Sequence, residues 1–182
     1  MCSDQFEPNG AVHIETDRLI LRPPQADDAE PMAALLDDYE VVKMLSWTPW
    51  PFTPEHARDY IAAVGGVNPA FDRPMTIAHR SHGLIGGAAF HWDDEMLVPE
   101  IGFWIGRPHW GQGYATEAAA AALRWARDGW GKRALASGHF ADNAASARVL
   151  VKAGFLYTGD RIERPCMARA PAPPTRMMIW LA

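Results

Sequence analysis

"RPHWGQGYATEA", residues 107–118, decides how this chain is read. Gly111 and Gly113 stand one residue apart at the end of a β-like run, and the chain then passes straight into an alanine-rich stretch. The first N–H groups of a helix have no intrahelical partner, and the helix dipole makes that end partly positive. A phosphate placed there is stabilised without any lysine. Glycines let the chain turn sharply and let a bulky anion approach the backbone. The plainer alternative is a tight strand-to-helix turn with no ligand. Two other phosphate motifs fail. A dinucleotide fingerprint needs glycine where Thr116 stands, and an acid about twenty residues on, where Gly131, Lys132 and Arg133 are found. There is no P-loop lysine either. A pyrophosphate site survives; NAD and ATP do not fit.

Outward from that stretch, "VPEIGFWIG" precedes it as a strand, and "MTIAHR" and "GLIGGAAFHW" precede that, punctuated by Gly83 and "DDEM" as in an antiparallel meander. The helix opened by the glycines runs from about 113 to 128, with Ala119, Ala122, Leu123, Ala126 and Trp130 on one face. "RALASGHF" reads as a strand, and "DNAASARVLVKAGF" as a helix capped by Asp142 or Asn143 and closed by Gly154. "FLYTGDRI" and "TRMMIWLA" are the last strands, joined by "ERPCMARAPAPP". Towards the N-terminus, one strand is expected over 13–22, then a helix in "ADDAEPMAALLDD", a short helix in "EVVKML" and a helix from Thr53-Pro54. Residues 1–10 read as a flexible tail and 11–182 as a single domain. The order of elements is α+β: an antiparallel meander followed by a βαβ-like crossover.

The chain has 182 residues, 48% of them apolar and 21% charged, which is globular composition. No apolar run reaches the length of a membrane span, and the acidic, polar start is unlike a signal peptide. Cys2 and Cys166 form neither a disulfide framework nor a metal pair, and a reducing cytoplasm is expected. The 7 histidines show no ligand spacing, so no metal is expected. A net charge of −5 argues against nucleic acid as the main partner. Residues 1–106 hold 6 Lys and Arg against 17 Asp and Glu, whereas residues 107–161 hold 8 against 4. Two ligands of opposite sign would suit that asymmetry, and chance unevenness of solvated surface charge is the plainer alternative.

Taken together, "IETDRLILRP", "EIGFWIGRPHWGQGYATEA", "NAASARVLVKAGF" and the closing strand resemble the GNAT superfamily of acetyl-CoA-dependent N-acetyltransferases, in its branch similar to the RimJ/RimL-type ribosomal-protein N-terminal acetyltransferases. The resemblance implies a mostly antiparallel mixed sheet of about seven strands, splayed between the fourth ("VPEIGFWIG") and fifth ("RALASGHF"), with about four flanking helices. It implies that the backbone from Trp110 and Gly111 through Gln112, Gly113, Tyr114 and Ala115 to Thr116 binds the pyrophosphate of coenzyme A. Phe103, Trp104 and Ile105 would border a slot for the pantetheine arm, and Asn143 would lie beside that arm with Ser146 near the sulfur. The family's phosphate loop usually begins with Arg or Gln where Pro108 stands, with Arg107 one residue further back. The implied acceptor is an amine, on a small molecule or a protein N-terminus, and the protein would act as a monomer or homodimer. A non-catalytic acyl-CoA-binding module of the same fold is the alternative.

Acetyl transfer requires a deprotonated amine, a stabilised oxyanion and a leaving thiolate. Glu100 is the carboxylate within the strand leading to the glycines, so it is the candidate base. A carboxylate in apolar surroundings can work near neutrality. The plainer reading makes it an edge-strand glutamate facing solvent. A backbone N–H of Phe103, Trp104 or Ile105 could hold the oxyanion, a donor whose loss typically costs about 3–4 kcal/mol. Asn143 has an N-cap as its competing role. Tyr157 is a candidate acid for the thiolate, with strand packing as its competing role. Trp47, Trp50 and Phe52 are expected near the acceptor pocket, with core packing as their competing role, and "APAPP" at 170–174 is expected to border that pocket or a dimer contact.

Overall fold

A computed structural model describes residues 12–92 and 97–182. The expected tail and the "DDEM" turn lie outside the described residues. Eight strands form one mixed sheet: β1 (Ile14–Glu15), β2 (Leu19–Arg22), β3 (Arg73–His79), β4 (Gly83–Trp92), β5 (Pro99–Ile105), β6 (Ala134–Phe140), β7 (Leu156–Ile162) and β8 (Thr175–Leu181), in spatial order β1-β2-β3-β4-β5-β6-β8-β7. Neighbours are antiparallel except β5 and β6. Among the described residues five α-helices accompany them: α1 (Ala29–Leu36), α2 (Tyr39–Val42), α3 (Pro54–Val64), α4 (Tyr114–Asp128) and α5 (Ala144–Ala153). The fold is the expected α+β class: the five helices are those read along the sequence, one more than the resemblance implied, and the sheet has one strand more than the seven expected.

The extra strand arises because 13–22 is a hairpin and not a single strand. Thr16 N–H donates to the Leu19 carbonyl at 2.9 Å, and its hydroxyl accepts from Leu19 N–H at 2.8 Å. A threonine side chain that bonds nearby backbone offers the chain a turn in place of a ladder.

Alternation along the strands feeds two cores, one on each face of the sheet. Leu19, Leu21, Ile77, Ile85, Phe90, Ile101 and Leu135 pack with the buried face of α4 and with Leu150 of α5. On the opposite face Met32, Leu36, Val42, Phe52, Ala57 and Leu84 pack together, with Trp104 against them. Along β5, Ile101, Phe103 and Ile105 therefore serve the first face, and Trp104, with Glu100 in the same parity, serves the second. Gly106 is held by that packing: a Cβ there would meet Leu35 Cδ2 at 2.5 Å.

Candidate active site

The two glycines of the opening stretch both adopt left-handed backbone, Gly111 at φ 75° and Gly113 at φ 81°. A Cβ at Gly111 would meet nothing within 4 Å, so the requirement there is conformational and not spatial. Gly113 is the N-cap of α4 and offers no side chain to the helix. The first-turn amides of Tyr114, Ala115 and Thr116 thus lack both an intrahelical acceptor and a capping group. All three residues line a cleft of about 1160 Å³, together with Trp110, Gly111 and Gly113. Gln112 is not in the lining, and its carbonyl turns away to accept from Arg18 Nη1 at 3.1 Å.

Arg18 fixes the loop from behind. Its Nε donates to Glu117 Oε2 at 2.7 Å, and its guanidinium carbon lies 4.6 Å from the centre of the Tyr114 ring. Thr16 donates to the other Glu117 oxygen at 2.6 Å. Burial alone would raise the Glu117 carboxyl, but the hydrogen bonds from Thr16 and Arg18 outweigh it and hold it below its usual 4.5. Nothing local in the sequence points to this clamp, because its partners lie 94 to 101 residues apart.

β5 and β6 diverge as expected. They pair only at Glu100↔Ala136, and the Ser137 hydroxyl pins the fork by donating to the Ile101 carbonyl at 2.8 Å. The ladder decides among the oxyanion candidates. Gly106 N–H donates to Ile85 O at 2.9 Å, and the β4–β5 register is unbroken, so the amides of Gly102, Trp104 and Gly106 turn to β4. The amides of Phe103 and Ile105 turn to the open fork. Trp104 is thereby corrected: it lines the cleft with its side chain, while its N–H belongs to the ladder. The carbonyl of Ile105, on the open side, accepts from Trp110 Nε1 at 2.6 Å and draws the indole across the loop.

Glu100 lines the cleft at 3% exposure, which removes the solvent-facing reading. Its surroundings are not simply apolar. Arg164, after β7, binds both oxygens at 2.6 and 2.5 Å. A carboxylate offers about four lone-pair positions, so two remain for other donors. Arg164 is a cleft-lining partner of Glu100 that sequence reading missed, since 64 positions separate the pair.

At the start of α5, Asn143 is the N-cap, and its Oδ1 accepts from Ser146 N–H at 3.0 Å. Both residues line the cleft, so capping and contact with a ligand are compatible for Asn143. Tyr157 is not in the lining. It stands behind His139, with its hydroxyl 3.0 Å from His139 Nε2. His139 Nδ1 is 2.8 Å from the Phe140 carbonyl, which requires a proton on that nitrogen. His139, 5% exposed, is the residue of this pair that reaches the cleft.

The far end of the cleft is walled by Glu40, Trp47 and Pro49 and by His56, Asp59 and Tyr60 of α3. Phe52 also contributes, but Trp50 does not; it packs edge-on against Tyr39 at 5.2 Å. The 170–174 segment is outside the lining, with Pro174 O accepting from Ala141 N–H at 2.9 Å. Arg148 and Lys152 line the wall formed by α5. Arg148 and Lys152 thus stand on the α5 side, with Asp142 before the helix, and Glu40 and Asp59 on the α2–α3 side. Among the described residues no group of histidine, cysteine and carboxylate side chains is placed to hold a metal.

Comparison with known proteins agrees with this geometry. Residues 18–156 match the acetyltransferase (GNAT) domain family. The chain is 30% identical over 152 residues to the uncharacterized N-acetyltransferase YoaA of Bacillus subtilis, covering 80% of this chain and 84% of that one. It is 33% identical over 108 residues to the uncharacterized N-acetyltransferase p20 of Bacillus licheniformis, covering 58% of this chain and 60% of that relative's length. The microcin C7 self-immunity acetyltransferase MccE, solved with acetyl-CoA and AMP, shares the fold at a TM-score of 0.81 and 16% identity, covering 97% of this chain and 98% of that one. RimL, a ribosomal L7/L12 alpha-N-protein acetyltransferase solved with coenzyme A, superposes at a TM-score of 0.76 with 15% identity, covering 91% and 95%. With a glycine-opened helix beneath a forked sheet and a family match spanning most of its length, the chain belongs to the GNAT acetyltransferases and is an acyltransferase.

Proposed function

We propose that this protein is an acetyl-CoA-dependent N-acetyltransferase that passes the acetyl group directly to a primary amine, on a protein N-terminus or a small molecule, within a ternary complex. One observation carries the reading. α4 opens at a left-handed glycine with no capping side chain, at the foot of a cleft made by a strand pair joined at a single position. The amides of Tyr114, Ala115 and Thr116 would hold the pyrophosphate, and the fork between β5 and β6 would admit the pantetheine arm. Acetyl-CoA supplies an activated acyl group as its thioester. The N–H of Phe103 or Ile105 donates to the carbonyl oxygen as negative charge develops on it. Asn143 and Ser146 stand at the α5 N-terminus, where the helix dipole and the Ser146 hydroxyl favour a departing thiolate.

Glu100 lies on the other face of β5, towards the acidic α2–α3 wall. Its remaining lone pairs accept from the incoming amine and take its proton, directly or through water, as the new C–N bond forms and the C–S bond breaks. Tyr157 reaches the thiolate only through His139. Direct transfer uses no acetyl-enzyme: among the described residues the one cysteine, Cys166, is buried outside the cleft lining, with Sγ 3.5 Å from the Lys43 carbonyl. The proposed setting is the cytoplasm, as a monomer or homodimer. Among the described residues no helix is long and apolar enough to cross a membrane.

The double grip of Arg164 on Glu100 favours one second reading, a non-catalytic acyl-CoA-binding module. Glu100→Gln distinguishes them when thiol release is followed with a panel of α-amines, lysine-like amines and polyamines. An enzyme loses turnover, most with the lysine-like amines of pKa about 10.4, and keeps its cofactor affinity. Thiol release by neither protein, with coenzyme A still bound, would establish the binding module.

A further inference from the structure

The β3–β4 hairpin brings a set of groups to the outer side of the phosphate loop that the mechanism above does not use. His79 ends β3, His82 sits in the turn, and His109 lies in the loop two residues before Gly111. The rings of His79 and His82 stack at 4.4 Å, and those of His82 and His109 lie 6.0 Å apart. His79 also meets the ring of Tyr114, the first residue of α4, edge-on at 5.1 Å. His109 itself lines the cleft. We propose that His79, His82 and His109 form a titratable cation cluster flanking the proposed pyrophosphate cradle, taking up a proton when a diphosphate such as that of coenzyme A docks there.

This rests on the proposed function and adds a charge partner that the amide cradle lacks. The cations already around the loop are committed to carboxylates: Arg18 to Glu117, Arg80 to Glu15 and Arg107 to Asp38. Without a ligand His79 and His109 favour their neutral forms. Ser81 N–H donates to His79 Nδ1 at 3.1 Å, a bond that needs a lone pair on that nitrogen. Burial first, then repulsion from His82 and Arg18, keeps His79 below its usual 6.5, with Glu117 opposing. Burial, then His82 and His79, does the same for His109. An anion beside the cluster reverses the balance, because an opposite charge favours the charged imidazole. Proton uptake and anion affinity are then linked. Between the free and bound titration ranges, each proton taken up tightens binding by up to about tenfold per unit fall in pH.

The test is calorimetric titration of the full-length protein with coenzyme A near pH 7, in PIPES and in Tris, whose ionisation heats differ. The buffer dependence of the heat counts protons. Dephospho-coenzyme A is titrated in parallel, because a phosphomonoester has its own pKa near 6. The expected result is net uptake by the wild type with both ligands. Uptake should fall by at least half in a His82→Gln/His109→Gln variant whose melting curve shows it folded. Binding without uptake, or uptake unchanged in the variant, overturns the inference and leaves the cofactor reading intact. Absence of coenzyme A binding overturns both.

Discussion

Replacing Gly113 by alanine separates what the glycine does for the chain from what it does for a ligand. At φ 81° the residue sits where an L side chain is disfavoured by about 1–2 kcal/mol. A new Cβ meets only Arg18 Nη2, at an ordinary 3.7 Å, so no clash adds to that figure. In a protein of this size the expected fall in melting temperature is about 2–8 °C. Gly131→Ala is the matched control: its φ is 68°, a Cβ there meets nothing within 4 Å, and it does not line the cleft. Both variants should lose similar stability. Only Gly113→Ala should bind coenzyme A more weakly, because it disturbs the amides of Tyr114 to Thr116. Misaligning one charge-assisted hydrogen bond of about 1.5–3 kcal/mol predicts a loss of roughly 10- to 100-fold in affinity. Thermal melts and calorimetric binding on the three proteins read this out. Equal affinity in Gly113→Ala and Gly131→Ala would refute the reasoning and reduce Gly111-Gln112-Gly113 to a turn.

Three further outcomes follow from particular contacts. Asn143→Ala should cost about 1 kcal/mol as a lost cap. Asn143→Asp should recover that stability; if it also recovers coenzyme A affinity, the side-chain amide has no role beyond capping. Glu117 is held below 4.5, so its contribution to stability is fully present above that pH and lost as pH falls through the lower native value. The difference in melting temperature between wild type and Glu117→Gln should therefore be constant above about pH 4.5 and shrink below it. Arg164→Met should unfold at lower temperature than wild type, because it leaves the Glu100 carboxylate buried at 4% side-chain exposure without its partner. The double variant Arg164→Met/Glu100→Leu should regain much of that loss, and non-recovery in melting experiments would show that Arg164 acts on something other than Glu100.

Local chemistry made much of this molecule legible. Thr53-Pro54 announced α3 because a cap and a first-turn proline act within one turn, and Gly154, at φ 99°, closed α5 for the same reason. The glycines at 111 and 113 were readable because positive φ is a property of single residues. The split of the first strand hid in Thr16, whose turn-forming bonds compete with an alternating pattern that reads equally well as one strand. Pairings across the chain left no local trace. Arg164 on Glu100 and Arg18 on Glu117 are set by topology, and so is the placement of Tyr157 behind His139. The choice of Phe103 and Ile105 over Trp104 depends on ladder parity, which no side chain encodes. Trp50 departed from expectation because an aromatic beside proline packs on whichever neighbour the loop presents, here Tyr39.

The central claim is that the mouth of α4 holds the pyrophosphate of acetyl-CoA. The most direct measurement is a thermal shift of the wild-type protein with acetyl-CoA, coenzyme A, acetyl-pantetheine and NADH in parallel. At a ligand concentration a hundredfold above the dissociation constant, stabilisation of about 2.7 kcal/mol is expected. That corresponds to a rise of about 5–10 °C for the two coenzyme A species. Acetyl-pantetheine, which lacks the pyrophosphate, and NADH should give little. No shift with either coenzyme A species, or an equal shift with acetyl-pantetheine, would contradict the account.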